Sequence, residues 1–302
     1  MKKILVVIIS LLVIILFDGC KRKKYWIAKD LTQENTFTGG IEGPAIISSG
    51  PLFVVNYQKD GTIGYVDSLG RAEIFVTLPG GSIGNGIRFD KDWNMYIADY
   101  VNHNILLIKS GDRNISVFAH DSSMNQPNDL AITTSGILFA SDPDWKNSKG
   151  NIYRASQDGK LVKIDSGMGT TNGIEVSPGD KYLYVNESVQ KNIWRYDLDQ
   201  NGNISNKKLL ISFPDFGMDG MRCDTLGNLF VCRYDKGTVA VISPDGKVIR
   251  EVKLKGKKPS NIAFGGYDGK TCYVTLQDRG NIEIFTSETP GREWTFFKAD
   301  DR

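Results

Sequence analysis

Histidine and cysteine are scarce in this sequence, and their scarcity narrows the chemistry that the protein can perform. Neither of the two histidines, His103 and His120, begins a repeated segment. Beyond the N-terminal region there are three cysteines, Cys223, Cys232 and Cys272, without Cys-x-x-Cys spacing. This number and spacing indicate neither a zinc cluster nor a disulfide framework. The sequence gives little support to a histidine-driven mechanism, and we expect the three thiols to be buried.

An excess of one charge is also lacking over most of the chain. From Glu42 to the C-terminus, 30 lysines and arginines face 32 aspartates and glutamates. The basic excess lies instead at the N-terminus, in Lys2, Lys3 and residues 21–24. A region with nearly equal numbers of basic and acidic residues has no basic surface that would bind phosphate groups. We therefore expect no nucleic-acid partner, and we expect the protein to be a monomer.

The chain also lacks an apolar run of about 20 residues, which is the length that a helix needs to cross a bilayer. Residues 4–17, interrupted only by Ser10, have the length of the apolar segment of a signal peptide. They lead into Asp18-Gly19-Cys20, which resembles a bacterial lipoprotein signal, although Asp18 departs from the usual pattern. We predict a signal peptide over residues 1–19, a lipidated Cys20 and a tether over residues 20–41.

These features predict an exported protein that is anchored to the membrane and faces the periplasm or the cell exterior. The alternative is an uncleaved anchor. Four basic residues follow the apolar run and two precede it, and under this alternative that asymmetry favours a cytoplasmic body.

Six copies of one segment fill the chain from Glu42 onward. Each copy opens with a polar residue, often followed by glycine, and continues into alternating apolar positions, a short turn and a second apolar run. Successive copies start 41 to 47 residues apart. The opening residues are Glu42, Asn85, Asn128, Asn172, Asp219 and Ser260.

Each copy predicts four short strands. A third run often begins with Asn-Ile, as at Asn104 and Asn192, and a fourth follows a turn such as Asp158-Gly159. Four strands in a period of about 40–45 residues are typical of a propeller blade, and radial closure protects the sheet edges. We predict an all-β fold, a six-bladed β-propeller of four-stranded antiparallel blades over residues 42–302. A β-sandwich or a β-helix is the alternative.

The sequence leaves the closure of the ring open. In the last copy, the run Trp294-Thr295-Phe296-Phe297 is expected to supply the fourth strand. The stretch at residues 25–28 either adds a further strand or belongs to the tether.

The six opening residues are expected to meet at one mouth of the central channel, because the first strand of a blade lies innermost. All six carry oxygen, and Glu42 and Asp219 are carboxylates. Such a set suits Ca²⁺, while oxygen ligands alone make zinc a less favoured choice. The alternative is that these residues only hydrogen-bond the backbone at the strand starts. We predict Ca²⁺ or another divalent cation, such as Mg²⁺, Mn²⁺ or Zn²⁺.

Several short sequence motifs, which occur in order and at the spacing of the blades, resemble those of the senescence marker protein-30/gluconolactonase family over about residues 40–290. The strand motif that ends in Asp142-Pro143 is also similar to the corresponding motif of gluconolactonases. The chain has Ile46 and Gln126 where family members often carry tryptophan and arginine. The motifs are Glu42-Gly43-Pro44, Pro127-Asn128-Asp129, Asn172-Gly173-Ile174 with Ser177-Pro178, and Asp219-Gly220-Met221 with Gly227-Asn228-Leu229.

The resemblance implies a six-bladed propeller with a divalent ion, usually Ca²⁺, on its axis. It also implies hydrolysis of lactones, with organophosphates as the substrates of a related branch. The metal-facing set that it implies is Glu42, Asn128, Asn172 and Asp219.

The resemblance leads to a mechanism in which the ion polarises the carbonyl of a lactone or ester. Asp219 is the expected base or nucleophile, and Asp129 is expected to orient its neighbour Asn128 or to act as a base. Arg88, Glu175 and Arg222, three residues after their copies begin, are expected to pair in the channel. The residues expected to line the substrate site are Asn85, Gln126, Trp145 and Ser260.

Two classes of function follow from this sequence. The first is a membrane-anchored, Ca²⁺-dependent hydrolase of lactone or ester type that acts on a small molecule. The second is a non-catalytic exported propeller that keeps a structural ion and binds a small ligand or a protein, because fold alone does not fix function.

Overall fold

Six antiparallel sheets of four strands each make up the computed structural model of this protein, which describes residues 25–47 and 50–296. The predicted all-β fold of four-stranded blades is confirmed. The predicted signal peptide and Cys20 lie outside the described residues. Within the described ranges, no helix has the length and hydropathy that a membrane crossing requires.

Blades 1 to 5 each consist of four consecutive strands, and blade 6 combines the first strand of the chain with the last three. In chain order the strands are β1 (Lys29–Asp30); in blade 1, β2 (Phe37–Ile46), β3 (Leu52–Tyr57), β4 (Thr62–Val66) and β5 (Ala72–Thr77); in blade 2, β6 (Gly84–Phe89), β7 (Met95–Asp99), β8 (Asn104–Ile108) and β9 (Ile115–His120); in blade 3, β10 (Leu130–Ile132), β11 (Leu138–Asp144), β12 (Lys149–Ala155) and β13 (Leu161–Met168); in blade 4, β14 (Thr171–Val176), β15 (Tyr182–Glu187), β16 (Asn192–Leu198) and β17 (Ile204–Ser212); in blade 5, β18 (Met221–Cys223), β19 (Leu229–Arg233), β20 (Thr238–Ile242) and β21 (Val248–Lys253); and in blade 6, β22 (Pro259–Gly265), β23 (Thr271–Leu276) and β24 (Asn281–Thr286). Two short 3-10 helices, Pro178–Asp180 and Arg292–Thr295, complete the described structure.

The first strands of the blades form a closed ring. Each of β2, β6, β10, β14 and β18 contacts the first strand of the next blade, and β22 contacts β2 again. The first strands are almost wholly buried, whereas the outermost strand β21 is mostly exposed. The first strands therefore surround the axis, and the start of each one lies at the same mouth of the channel.

Apolar side chains between neighbouring blades form the core. The cluster between blades 1 and 2 is representative, because Phe53 packs edge-on against Phe75 with ring centroids 4.9 Å apart and contacts Phe89 of the next blade at 5.6 Å. The three thiols, Cys223, Cys232 and Cys272, are free and buried, as predicted. Burial of such surfaces stabilises the ring by about 25 cal/mol per Å² of apolar area.

The structure corrects the prediction for the fourth strand of blade 6. This strand is β1, in which Lys29 pairs with Ile284 and Asp30 with Glu283. The predicted strand began at Trp294, but residues 292–295 form a 3-10 helix, and Phe297 lies outside the described residues. The edge that this run would occupy is already paired with β1. Blade 6 thus takes in part of the segment assigned to a tether.

Ion pairs hold the closing strand in place. The carboxylate of Asp30 contacts Lys255 and lies 2.6 Å from Nη1 of Arg279. Arg279 also lies 2.7 Å from the buried Glu283, which in turn accepts hydrogen bonds from the backbone of Lys255 and Gly256. A strand of only two residues has few backbone hydrogen bonds, so these charges supply much of its specificity.

We expect closure of the ring to depend on the charge of Asp30. Its hydrogen bond with Arg279 lowers the pKa of Asp30 from its usual value to about 2. A lowered pKa stabilises the fold above the usual pKa, and this contribution is lost as the pH falls toward 2. Asp30→Asn should lower the free energy of unfolding by about 1 kcal/mol or less at pH 7, measured by urea denaturation.

The matched control is Asp92→Asn, because the ion pair of Asp92 with Lys91 is exposed on both sides. It should leave the free energy of unfolding unchanged. Equal effects of the two substitutions at pH 7, or a difference between wild type and Asp30→Asn that persists at pH 2, would contradict this role of Asp30.

Candidate metal centre and active site

A cavity of about 340 Å³ lies at the mouth of the channel. We call it the axial cavity. Five of the six residues that open the sequence copies line it, joined by residues from the ends of four second strands. The lining residues are Glu42, Asn85, Asn128, Asn172 and Asp219, with Trp145, Ser188, Tyr234 and Gln277.

The glycine that follows several of the opening residues explains how the first strands come so close together. The backbone N–H of Gly220 donates to the carbonyl of Ser260 in the next blade, 2.7 Å away. A Cβ on Gly220 would lie 2.0 Å from the side chain of Asn261, and one on Gly43, which has φ of 56°, would lie 1.9 Å from the carbonyl oxygen of Asn85. The polar-glycine pattern therefore allows neighbouring blades to join at the axis.

Glu42 is held rigidly at the wall of the axial cavity. It is only 3% exposed, and its Oε2 accepts hydrogen bonds from the backbone N–H of Gly43 and from the amide of Asn261, at 2.9 Å in the latter case. Burial, and then the negative charge of Asp129, raise the pKa of Glu42 to about 7.

Asp219 carries the second carboxylate of the axial cavity. Burial, and then the charge of Glu42, raise its pKa well above the usual range. The Asp219 backbone is fixed on both sides, because its N–H donates to Cys232 and its carbonyl oxygen accepts from the amide of Asn186 at 2.6 Å. The two carboxylates thus raise each other's energy when both are ionised.

Two amides complete the set of candidate oxygen donors. The Oδ1 of Asn128 is buried and has no hydrogen-bond partner. The amide nitrogen of Asn172 lies 3.5 Å from the hydroxyl of Ser188, which leaves its Oδ1 available. A buried acceptor without a partner costs about 1–3 kcal/mol, so a ligand that fills this position would stabilise the site.

These residues fit a hard divalent cation. No lysine, arginine or histidine is among the described residues that line the axial cavity, so Glu42 and Asp219 have no positive partner there. Among the described residues, no three His, Cys, Asp or Glu side chains group as metal ligands. The donors are instead two carboxylates and two amides, a set that suits Ca²⁺ better than zinc.

The remaining predicted lining residues fall into three positions. Asn85 and the half-exposed Trp145 line the axial cavity, and Gln126 lines a smaller lobe beside it. Ser260 lines neither, which corrects its assignment. Its short side chain turns back into the blade, where the hydroxyl donates to the carbonyl of Ile41 at 2.8 Å and is 2.8 Å from the hydroxyl of Thr275.

Asp129 lies in the channel and does not line the axial cavity. One of its carboxylate oxygens is 3.2 Å from Arg88 and the other is 3.6 Å from Arg222. Glu175 lies 3.9 Å from Arg88, which confirms the predicted pairing of these two residues, whereas Arg222 pairs with Asp129. The position of Asp129 fits an influence on the cavity through charge and does not fit contact with a substrate.

The C-terminal 3-10 helix adds two more charges to this group. Arg292 is 2% exposed, donates to backbone carbonyls of blades 3 and 4, and lies 3.5 Å from Glu175. Glu293 approaches Arg88 at 3.7 Å and Arg222 at 3.9 Å. Arg292 also lies 2.6 Å from Asp180, so the three arginines face four acids. The charge of Arg222 lowers the pKa of Glu42 less than burial raises it.

Sequence reasoning missed Ser188, Tyr234 and Gln277. Each directly follows the second strand of its blade, as Trp145 does in blade 3. Because the first two strands of a blade are antiparallel, the second strand ends at the mouth where the first one begins. The residues after the second strand in each copy could therefore have been added to the predicted site.

Comparisons with known proteins identify relatives of this chain. A gluconolactonase from Zymomonas mobilis is 32% identical over 216 residues, which cover 63% of this chain but only 60% of that protein, less than two thirds of its length. Diisopropyl-fluorophosphatase from Loligo vulgaris is 27% identical over 287 residues, covering 84% of this chain and 91% of the relative.

Solved structures share the fold. The structure of a calcium-binding protein, regucalcin, from Agrobacterium tumefaciens superposes with a TM-score of 0.76 at 23% identity, covering 87% of this chain and 95% of that one. The family model described as the SMP-30/gluconolactonase/LRE-like region matches residues 42–278. That match includes every residue that lines the axial cavity and covers more than half of the chain, and the chain therefore belongs to the SMP-30/gluconolactonase/LRE-like family.

Proposed function

We propose that this protein is a hydrolase of lactones or related esters that depends on a divalent cation, with Ca²⁺ as the preferred ion. The observation that carries the proposal is the axial cavity, in which the carboxylates of Glu42 and Asp219 lie without a basic partner beside the orphaned oxygen of Asn128. These residues, with Asn172, would hold the cation.

The chemistry would add water across the acyl C–O bond. When bound, the cation would supply Lewis acidity toward the carbonyl oxygen of the substrate. Asp219 either takes a proton from the attacking water or attacks the carbonyl carbon itself. If Asp219 takes the proton of the attacking water, the ring C–O bond breaks, the leaving oxygen takes that proton, and the product is a hydroxy acid. If Asp219 attacks, the ring C–O bond breaks to leave an acyl anhydride on Asp219, the leaving oxygen takes a proton, and a water molecule then cleaves the anhydride to release the hydroxy acid.

The other lining residues bind and orient the substrate. Glu42 is fixed by Gly43 and Asn261, so it holds charge in place and does not move with the reaction. Gln277 accepts a hydrogen bond from the hydroxyl of Tyr234 at 2.9 Å, and its amide nitrogen can donate to a substrate oxygen. Trp145 offers a ring face at the entrance, and the C-terminal helix covers the opposite end of the channel.

Relatives support hydrolysis but differ in the substrate that their names give. The relative named gluconolactonase supports a lactone, and similarity over 84% of the chain to diisopropyl-fluorophosphatase makes a phosphorofluoridate the second candidate. A binding protein without activity is the remaining alternative.

We expect the purified protein to hydrolyse aldonolactones in the presence of Ca²⁺. Asp219→Asn should lower kcat at least about 100-fold, because a positioned base or nucleophile contributes that much or more. The matched control is Asp235→Asn, since Asp235 is exposed and has φ of 64°, which asparagine tolerates. Turnover is followed by the acid released from lactones and from diisopropyl fluorophosphate. Failure of the folded protein to hydrolyse any of them would favour the binding alternative.

We expect Ca²⁺ to stabilise the folded protein. The variant Glu42→Gln should separate the repulsion between the two carboxylates from their binding of Ca²⁺. Ca²⁺ at about 100 times its Kd should raise the free energy of unfolding by about 2.7 kcal/mol. Without Ca²⁺, Glu42→Gln should raise Tm, because it removes one of two buried carboxylates that repel each other. The same variant should lose most of the gain in Tm on adding Ca²⁺.

Differential scanning calorimetry with chelator and with Ca²⁺ measures both effects. Asp92→Asn is the control, and it should respond to Ca²⁺ as the wild type does. A lower Tm of Glu42→Gln in chelator, or an undiminished response to Ca²⁺, would contradict the assignment of Glu42 to the cation.

We also propose that the protein is exported and anchored by a lipid on Cys20. The support is the apolar run that precedes Gly19-Cys20. Expression in bacteria with a radiolabelled fatty acid should label the protein, and Cys20→Ser should abolish the label while Cys272→Ser keeps it. A labelled Cys20→Ser variant, or an unlabelled wild type in the membrane fraction, would overturn the proposal.

A further inference from the structure

A second lobe of about 240 Å³ opens beside the axial cavity. We call it the outer lobe. Asn85, Asn128, Trp145 and Gln277 line both spaces, so the two are continuous at these side chains. The residues that line only the outer lobe are Gly40, Asn56, Asp60, Tyr100 and Gln126.

The charge of the outer lobe selects against anions. Among the described residues that line it, no side chain is basic, and Asp60 carries a negative charge. A phosphate, sulfate or carboxylate group would therefore meet a carboxylate and have no positive partner. The five amide side chains also make the lobe a poor site for an apolar group, because their hydrogen-bonding groups would lose water without replacement.

The polar groups of the outer lobe are held in place before a ligand arrives. Asn56 donates to the carbonyl of Gly40 at 2.7 Å and accepts from the backbone of Gly61 at 3.1 Å. Asp60 accepts a hydrogen bond from Thr38 at 2.7 Å through Oδ1, and its second oxygen can accept from a ligand. Because these side chains are already ordered, the protein loses less conformational entropy when a ligand binds.

The outer lobe combines aromatic rings with amide side chains, the two kinds of group that bind hydroxyl-rich ligands. Trp145 and Tyr100 offer apolar faces with polar edges, and Gln126 and Gln277 can both donate and accept. A sugar ring presents C–H groups on its faces and hydroxyls around its edge, which match these two kinds of surface. The axial cavity already lies within the volume range of small-ligand sites, about 300–1,000 Å³, so a single ring does not require the outer lobe.

We propose that the outer lobe is a subsite for a second, uncharged sugar ring, and that the preferred substrate is a two-ring lactone in which a glycosyl group is attached to an aldonolactone. This inference rests on the proposed lactone hydrolysis for the identity of the reacting ring. The binding of the second ring depends only on the outer lobe. The enzyme that supplies such a substrate would oxidise the reducing end of a disaccharide.

The kinetic test compares glucono-1,5-lactone with cellobiono-1,5-lactone and maltobiono-1,5-lactone on the full chain with Ca²⁺. At least one two-ring lactone should have a kcat/KM about tenfold higher, mainly through a lower KM. Asp60→Ala should reduce that preference about tenfold, because it removes a charged hydrogen-bond acceptor. Asp92→Asn, at an exposed position, should leave kcat/KM unchanged for all three lactones. Equal kcat/KM values for all three lactones, with no change of their ratio in Asp60→Ala, would overturn the subsite.

A binding test separates the subsite from the hydrolase proposal. Cellobiose or maltose should change the tryptophan fluorescence at concentrations about tenfold lower than glucose does, and Trp145→Phe should remove the change. Circular dichroism checks that this half-exposed position still allows folding. Disaccharide binding without turnover of any lactone would support the subsite and reject the hydrolase. Turnover of gluconolactone with no difference between glucose and disaccharide binding would reject the subsite alone.

Discussion

Two carboxylates share one buried cavity at the axis without a basic side chain beside them, and this constraint governs the rest of the molecule. Glu42 and Asp219 are each raised in energy by burial and by nearby negative charge. The arginines closest to the axis, Arg88 and Arg222, are already matched by acids deeper in the channel. The protein therefore keeps two acidic groups without a basic partner at the mouth, a state that folding tolerates only because the blades hold these residues from all sides.

The mouth is built as two concentric sets of side chains, each supplied by the blades in turn. The inner set comes from the starts of the first strands and includes Asn85 and Asp219, and the second set comes from the ends of the second strands and includes Trp145 and Gln277. The antiparallel hairpin of each blade brings both ends to the same side. Reactive groups and recognition groups can consequently change independently, since they lie at different points of the repeat.

Much of the fold could be predicted from the sequence, because six copies at one period leave few alternatives to a propeller. The converging oxygens of Glu42 and Asp219 were predictable for the same reason. Strand β1 was not, because two charged residues carry no apolar periodicity, and its position depends on Arg279 at the far end of the chain. Nor could the sequence reveal that Ser260 turns away from the axis, since rotamer and hydrogen-bond partners decide the direction of a short side chain.

The position of β1 also has a consequence for the order of folding during synthesis. Asp30 leaves the ribosome early, yet its partner Asn281 lies 251 residues later in the chain. Blades 1 to 5 can form from consecutive segments as they emerge. Residues 29 and 30 must stay unpaired until β24 has been made, so the ring is completed last, by the segment that was synthesised first.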